Sequence, residues 1–338
     1  MSAMKSWLFI PAFLLLIETS CDQKQVEESI TSDPLPSWNE SESKNQIITF
    51  VKAVTDENGT EFIDPKNRIA TFDNDGTLWS EQPLYFQLIF ALDRIKALAS
   101  EHPEWEQDSL FRAVIHDDTE TVLHSGMSGL MKILMQSHAG MTTAGFEEIV
   151  MQWITTAKHP ETGKLYTEMI YQPMLELINY LKQNNFTVYI VSGGGIEFMR
   201  PWAEEVYGIP PNQVVGSSIK VVYEMTEKGP VLRRLPEINF IDDKDGKPVA
   251  IHQYIGKRSI AAFGNSDGDL QMLQWTAAAT GTSLQVYVHH TDSEREWAYD
   301  RTSHIGRLDK GLDEATERGW TIIDMKKDWK VVYPFELQ

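Results

Sequence analysis

The sequence predicts an α/β protein built on a Rossmann-like, mainly parallel sheet flanked by helices, with an inserted helical cap domain. Three observations lead there. Short apolar runs of strand length each end in a polar turn; helical patterns fall between them; and one long stretch after the first run has helical spacing only. The 338 residues, 42% hydrophobic and 23% charged, have the composition of a folded chain long enough for one large domain and an insert.

At the amino terminus, Lys5, an apolar stretch over residues 7–17 and the small Thr19 and Ser20 before Cys21 have the layout of a secretory signal spanning 1–20. The stretch is too short to cross a bilayer. A cysteine in this place resembles the lipobox of bacterial lipoproteins, whose cysteine is lipidated and becomes the mature amino terminus, although Glu18 stands where that motif usually has an aliphatic residue. The expectation is an exported protein, periplasmic or at the cell surface, lipid-anchored at Cys21 and touching membrane only through that terminus. Residues 21–45 are acidic, Ser-rich and broken by Pro34 and Pro36, which predicts a flexible tether. Cys21 is the single cysteine, so no internal disulfide forms. With 30 Lys and Arg against 49 Asp and Glu, a net charge of -19 and no basic stripe, nucleic acid is excluded as a partner.

The core is expected over 46–80 and 167–338. Periodic structure begins near Gln46, and residues 68–72 form a strand entering the polar turn Asp73-Asn74-Asp75-Gly76. The same grammar recurs in 187–191 before Ser192-Gly193-Gly194-Gly195, in 260–263 before Gly264-Asn265-Ser266-Asp267, and in 284–288 before His289-His290. Met174, Leu177, Ile178 and Leu181 mark a helix stopped by Asn184-Asn185. Right-handed crossovers then gather the exit loops in one crevice at the carboxyl ends of the strands. Between them, residues 81–166 carry apolar side chains at helical spacing (Leu84, Leu88, Leu92, Ile95, Leu98, then Leu130, Ile133, Leu134). Leaving the sheet after the first turn and returning before the next strand, this insert is placed over the crevice as a cap.

Asp73 and Asp75, two apart at a strand end, can face the crevice together while Gly76 lets the chain turn sharply. Alone, such a pair is commonly a turn. Ser192 and the glycines after it offer a hydroxyl and main-chain N–H groups where a helix begins, a cradle for phosphate. Residues 264–269 add oxygen donors suited to a hard cation such as Mg2+.

Taken together these residues resemble the haloacid dehalogenase superfamily of phosphohydrolases, in its phosphoserine-phosphatase-like branch, from about Gln46 to the carboxyl terminus. Residues 73–78 match D-x-D-G-T-[LV] in full, and Ser192 matches the Ser or Thr that follows a hydrophobic strand. The resemblance implies that Asp73 is a nucleophile forming an aspartyl-phosphate and Asp75 a general acid and base. It implies that Asn74, Gly76, Ser192 and Gly193 bind the phosphoryl group. Mg2+ would be held by Asp73, the Asp75 carbonyl, Asn265 and Asp269. The family's lysine is best matched by Lys247, with Lys257 and Lys244 as alternatives. Asn265 stands where the family usually has Asp and brings no charge, so Asp267 or Asp269 is expected to compensate, directly or through water. Trp79, Glu81 and Gln82, with Gln87, leave the first motif toward the cap as candidate substrate contacts. His138, His159, His289 and His290 read as core or surface residues rather than ligands. The function implied is Mg2+-dependent hydrolysis of a small phosphomonoester, the alternatives being a phosphotransferase of the same fold or a catalytically silent ligand-binding lipoprotein.

Overall fold

In the computed structural model, residues 33–337 are described. The expected signal segment, Cys21 and the first part of the tether lie outside the described residues. The remainder of the tether is corrected. Leu35 and Trp38 are fully buried, Trp38 donates its indole N–H to the Pro173 carbonyl (3.0 Å), and its ring meets Trp329 edge-on at 6.1 Å. Average polarity concealed two large apolar anchors, whose burial is worth about 2–3 kcal/mol each. Helix α1 (Glu42–Thr55) follows at once, capped by the Ser41 hydroxyl, which accepts from the Lys44 N–H.

Seven strands make one sheet: β1 (Ile69–Phe72), β2 (Thr187–Gly195), β3 (Val214–Thr226), β4 (Gly229–Phe240), β5 (Ala261–Gly264), β6 (Leu284–His289) and β7 (Thr321–Asp324). Their spatial order is β4-β3-β2-β1-β5-β6-β7, parallel throughout except for the antiparallel β3–β4 pair. Both faces of the parallel part are covered. Ala261 and Phe263 of β5 and Val286 and Val288 of β6 join one apolar cluster, whereas Ala262 and Tyr287 between them join another on the opposite face. That is why these strands read as continuous apolar runs. The central strand β1 is flanked in register, Ala70 lying opposite Val188 and Ala261, and Phe72 stacks on Phe263 at 4.2 Å. Pairing continues one residue further, the Asp73 N–H donating to the Phe263 carbonyl at 2.9 Å. The first acid is thereby fixed beside the exit loop of β5.

Between β1 and β2 lie α2 (Phe86–Leu98), α3 (Ser109–Ile115), α4 (Thr119–His124), α5 (Gly126–His138) and α6 (Thr143–Ile154). They carry their own apolar cluster of Ala91, Ile95, Trp105, Phe111, Val114 and Ile133, while Phe86, Phe90, Phe146 and Val150 turn to the main core. Helix α7 (Gln172–Gln183) leads into β2, and α8 (Ile196–Tyr207) leaves it.

The long β3–β4 hairpin was not expected from the sequence. It reaches the helical insert, where Gly140 donates to the Arg234 carbonyl and Arg234 to the Met141 carbonyl, each at 2.9 Å. The buried Arg234 side chain donates to the His138 carbonyl (2.8 Å), lies over the Phe146 ring and pairs with Glu197 of α8. One guanidinium thus ties hairpin, insert and core together. Beyond the hairpin come the short α9 (Gly246–Ala250), α10 (Leu270–Ala277), α11 (Lys310–Arg318) and α12 (Met325–Asp328).

Candidate active site

At the end of β1 the chain turns on itself: Thr77 and Leu78 donate to the Asn74 carbonyl (3.1 and 2.8 Å), and Gly76 to the Trp79 carbonyl (2.8 Å). Gly76 has φ +67°, and a Cβ there would fall 2.0 Å from the Asn265 amide nitrogen. Only glycine fits. Asp75 accepts from the Trp79 indole N–H at 2.8 Å, while burial pushes its carboxyl up to about 6. Trp79, a candidate substrate contact by sequence, is instead buried, stacked on Trp202 at 4.6 Å, and orients Asp75. The Asn74 carboxamide oxygen accepts from Tyr207 Oη (3.1 Å), so its side chain braces the turn, and any contact of Asn74 with phosphate falls to its main-chain N–H.

Ser192 sits fully buried at the carboxyl end of β2, its Oγ accepting from the Gly194 N–H at 3.1 Å, and Gly193 is exposed beside it. Helix α8 starts immediately, so main-chain donors and the helix dipole converge on this loop. From α2, Gln87 reaches down and accepts from the Gly195 N–H at 2.6 Å. Its amide nitrogen lies 3.2 Å from His138 Nε2, and His138 Nδ1 lies 2.7 Å from Ser137 Oγ. Burial, aided by the Arg234 charge, pushes this imidazole down to about 3, so it stands neutral with its proton on Nδ1.

Lys247, on α9, is buried. Its ammonium lies 2.7 Å from Asp73 Oδ1, 2.9 Å from Asp269 Oδ1 and 2.6 Å from the Val191 carbonyl. Those carboxylates hold it firmly protonated against the cost of burial, and burial with the Asp269 charge pushes the Asp73 carboxyl up while Lys247 pulls it back. The alternatives lie elsewhere: Lys257 donates to the Lys66 carbonyl at the surface, and Lys244 occupies a turn at φ +53°.

In the exit loop of β5, Asp269 Oδ2 accepts from the N–H groups of Asn265 and Ser266, both at 3.0 Å. With its other oxygen on Lys247, Asp269 shapes the loop and places the ammonium, a correction to its expected part as a metal ligand. Asp267 is corrected too, since its Oδ1 accepts from the Asp309 and Gly311 N–H groups (2.9 and 2.8 Å) at the start of α11. Asn265 stays in the crevice: Oδ1 accepts from Thr77 Oγ1 (3.2 Å) and Nδ2 donates to Glu81 Oε1 (2.6 Å). Gln82 is half-buried and donates to the Ile305 carbonyl at 3.4 Å.

Further neighbours complete the site, Tyr299 and Asp242 without any signal in the sequence. Tyr299 Oη donates to Glu81 at 2.8 Å, and His290 Nε2 lies 2.8 Å from the Gly76 carbonyl. Asp242 is fully buried, neither oxygen bonded to a described residue, and burial pushes its carboxyl up to about 7. Long-range partners of this kind leave no local periodicity to read.

The donor chemistry fits Mg2+. Among the described residues Asp73, Asp75, Asp242 and Asp269 share the one ammonium of Lys247, Glu81 lies beside Asp73 and Asp75, and the available ligands are hard oxygens. Among the described residues no three His, Cys, Asp or Glu side chains group closely enough to hold an ion by themselves. A mixed set of carboxylate, amide and main-chain oxygens is what the crevice offers.

Fold and site together define a Rossmann-like α/β protein with acids, a buried lysine and a glycine-rich loop at the carboxyl edge of its sheet. The family model for haloacid dehalogenase-like hydrolases matches residues 70–274, and the chain belongs to that family. Among solved structures, a functionally unknown protein from Anaerococcus prevotii is 15% identical, with TM-score 0.54 over 86% of this chain and 94% of that one. It supports the fold. A protein of unknown function from Bordetella pertussis (14% identity, TM-score 0.47, 77% and 99% covered) and a probable phosphoserine phosphatase from Vibrio cholerae (14%, 0.36, 73% and 64%) are more distant. No curated protein matches the sequence.

Proposed function

We propose that this hydrolase is a Mg2+-dependent phosphomonoesterase acting on a small phosphorylated metabolite through an aspartyl-phosphate on Asp73. The observation that carries the reading is the buried Lys247, bound at once to Asp73 and Asp269, which presents an anionic nucleophile beside a fixed positive charge. Asp73 Oδ2 accepts no hydrogen bond from a described residue and is the oxygen offered to phosphorus. Attack forms the Asp73–phosphorus bond and breaks the bond to the alcohol oxygen, which takes the proton of Asp75. With its carboxyl pushed up to about 6 and its ring partner Trp79 fixing its direction, Asp75 suits both that step and the next. It then takes a proton from water, whose oxygen attacks phosphorus, releasing phosphate and restoring Asp73. Ser192 Oγ and the N–H groups at the start of α8 hold the phosphoryl oxygens. Mg2+, held by Asp73, the Asp75 carbonyl and Asn265, would offset the charge of the phosphoryl group.

We keep the cap at 81–166 and the core at 46–80 with 167–338, extended to residues 34–45 by the buried Leu35 and Trp38 and by α1, and we keep the protein exported and lipid-anchored at Cys21 on the leader layout. The test is hydrolysis of an aryl phosphate with and without Mg2+, beside Asp73→Asn. Mg2+-dependent turnover that disappears in the variant is expected. Phosphate transfer to added alcohols in place of water would favour the transferase, and inactivity across a metabolite-phosphate panel would favour the silent binder.

A further inference from the structure

Glu81 is a buried carboxylate with no part in the steps above. Its segment belongs to the core side of the crevice: the Ser80 N–H donates to the Met169 carbonyl at 2.9 Å, and Ser80 Oγ meets Tyr333 Oη at 2.8 Å. Both of its hydrogen bonds, from Asn265 Nδ2 (2.6 Å) and Tyr299 Oη (2.8 Å), come from neutral donors and go to Oε1. No ammonium, guanidinium or imidazole among the described residues pairs with it, and the lysine of the site is already shared between Asp73 and Asp269. The space is shaped around that oxygen. A Cβ at Gly306 (φ +64°) would fall 1.8 Å from Oε1, and one at Gly76 would fall 2.4 Å from it. Oε1 is thereby fixed inside the protein, between Asn265 and Tyr299.

A carboxyl buried without a counter-charge either keeps a proton or draws a cation, and two neutral hydrogen bonds do not neutralise its charged form. Its hydrogen-bond partner Asn265 has the shape of an aspartate without the anion. An aspartate at 265 would set two carboxylates 2.6 Å apart. The two positions are therefore complementary. We propose that Glu81 supplies the acidic charge of the cation site, with Asn265 holding it in place through its amide nitrogen. This rests on the Mg2+-dependent reading above and adds a second acidic side chain, beside Asp73, to the cation site.

The test is calorimetric titration of Mg2+ into the purified full chain without substrate. Glu81→Gln, which keeps the shape and removes the charge, is expected to bind Mg2+ at least about 10-fold more weakly, and the double variant Glu81→Gln with Asn265→Asp to return within about threefold of wild type. Asn265→Asp alone should lower the melting temperature of the metal-free protein and gain more from added Mg2+ than wild type does. If Glu81→Gln binds Mg2+ as wild type does, the proposal is overturned while the phosphatase reading stands. If wild type itself takes no Mg2+, both fail. Should Glu81→Gln not fold, the double variant decides: folded and binding supports the exchange, folded and not binding refutes it.

Discussion

Replacing Lys247 by Met removes the only ammonium that the described residues bring to a buried acidic site, and the structure sets the size of the effect. Three contacts of 2.6–2.9 Å are lost to Asp73, Asp269 and the Val191 carbonyl, all shielded from water. Breaking one buried pair by removing one partner costs about 3–5 kcal/mol, because the remaining charge is left uncompensated. In a domain of this size that is a fall in Tm on the order of 10 °C. The pH dependence carries a second signature. Burial and the Asp269 charge push the Asp73 carboxyl up to about 8 although Lys247 pulls it down, so without the ammonium it holds its proton to still higher pH. The variant's deficit should therefore shrink as pH falls from about 9 to about 7, where Asp73 becomes protonated in wild type as well. Denaturation of both proteins in chelator across that range measures it. Equal stability at about pH 9, or a deficit that does not change with pH, would refute the assignment of the ammonium to this ion-pair network.

Asp242 should reveal itself with the opposite substitution. Its carboxyl is pushed up to about 7, so the folded chain gains a proton there between the ordinary carboxylate value and 7, and stability is lost as pH rises through that window, by on the order of 4 kcal/mol. Asp242→Asn is expected to be more stable than wild type at pH 8 and equal to it near pH 4, as urea denaturation would show. Arg234→Met should free the insert from the hairpin, costing about 2–4 kcal/mol and speeding amide exchange in α5 and α6. Unchanged exchange there would mean that the guanidinium does not fasten the insert.

The parallel strands were legible because burial on both faces gives uninterrupted apolar runs, as in 69–72 and 284–288, each closed by a polar exit. The β3–β4 hairpin was not, since Tyr223, Met225, Leu232 and Ile238 remain exposed and its alternation resembles a loop with scattered apolar residues. Strand β7, four residues long, is too short to stand out. Within the site, residues that belong to one turn, Asp73 to Gly76, could be grouped from their spacing. The bonds joining Trp79 to Asp75, Tyr207 to Asn74 and Glu81 to Asn265 could not, because side-chain direction and distant loops decide them. Asp267 and Asp269 show the same limit from the other side: a carboxylate at a motif position can be spent on main-chain N–H groups instead of a cation.

A covalent intermediate on Asp73 is tested most directly by mass spectrometry of the protein quenched during turnover of an aryl phosphate in Mg2+. The expected result is a phosphoryl adduct on the peptide carrying Asp73, absent from Asp73→Asn, whose turnover is also lost. Turnover that persists in Asp73→Asn with no adduct on that peptide would contradict the nucleophile and the mechanism built on it.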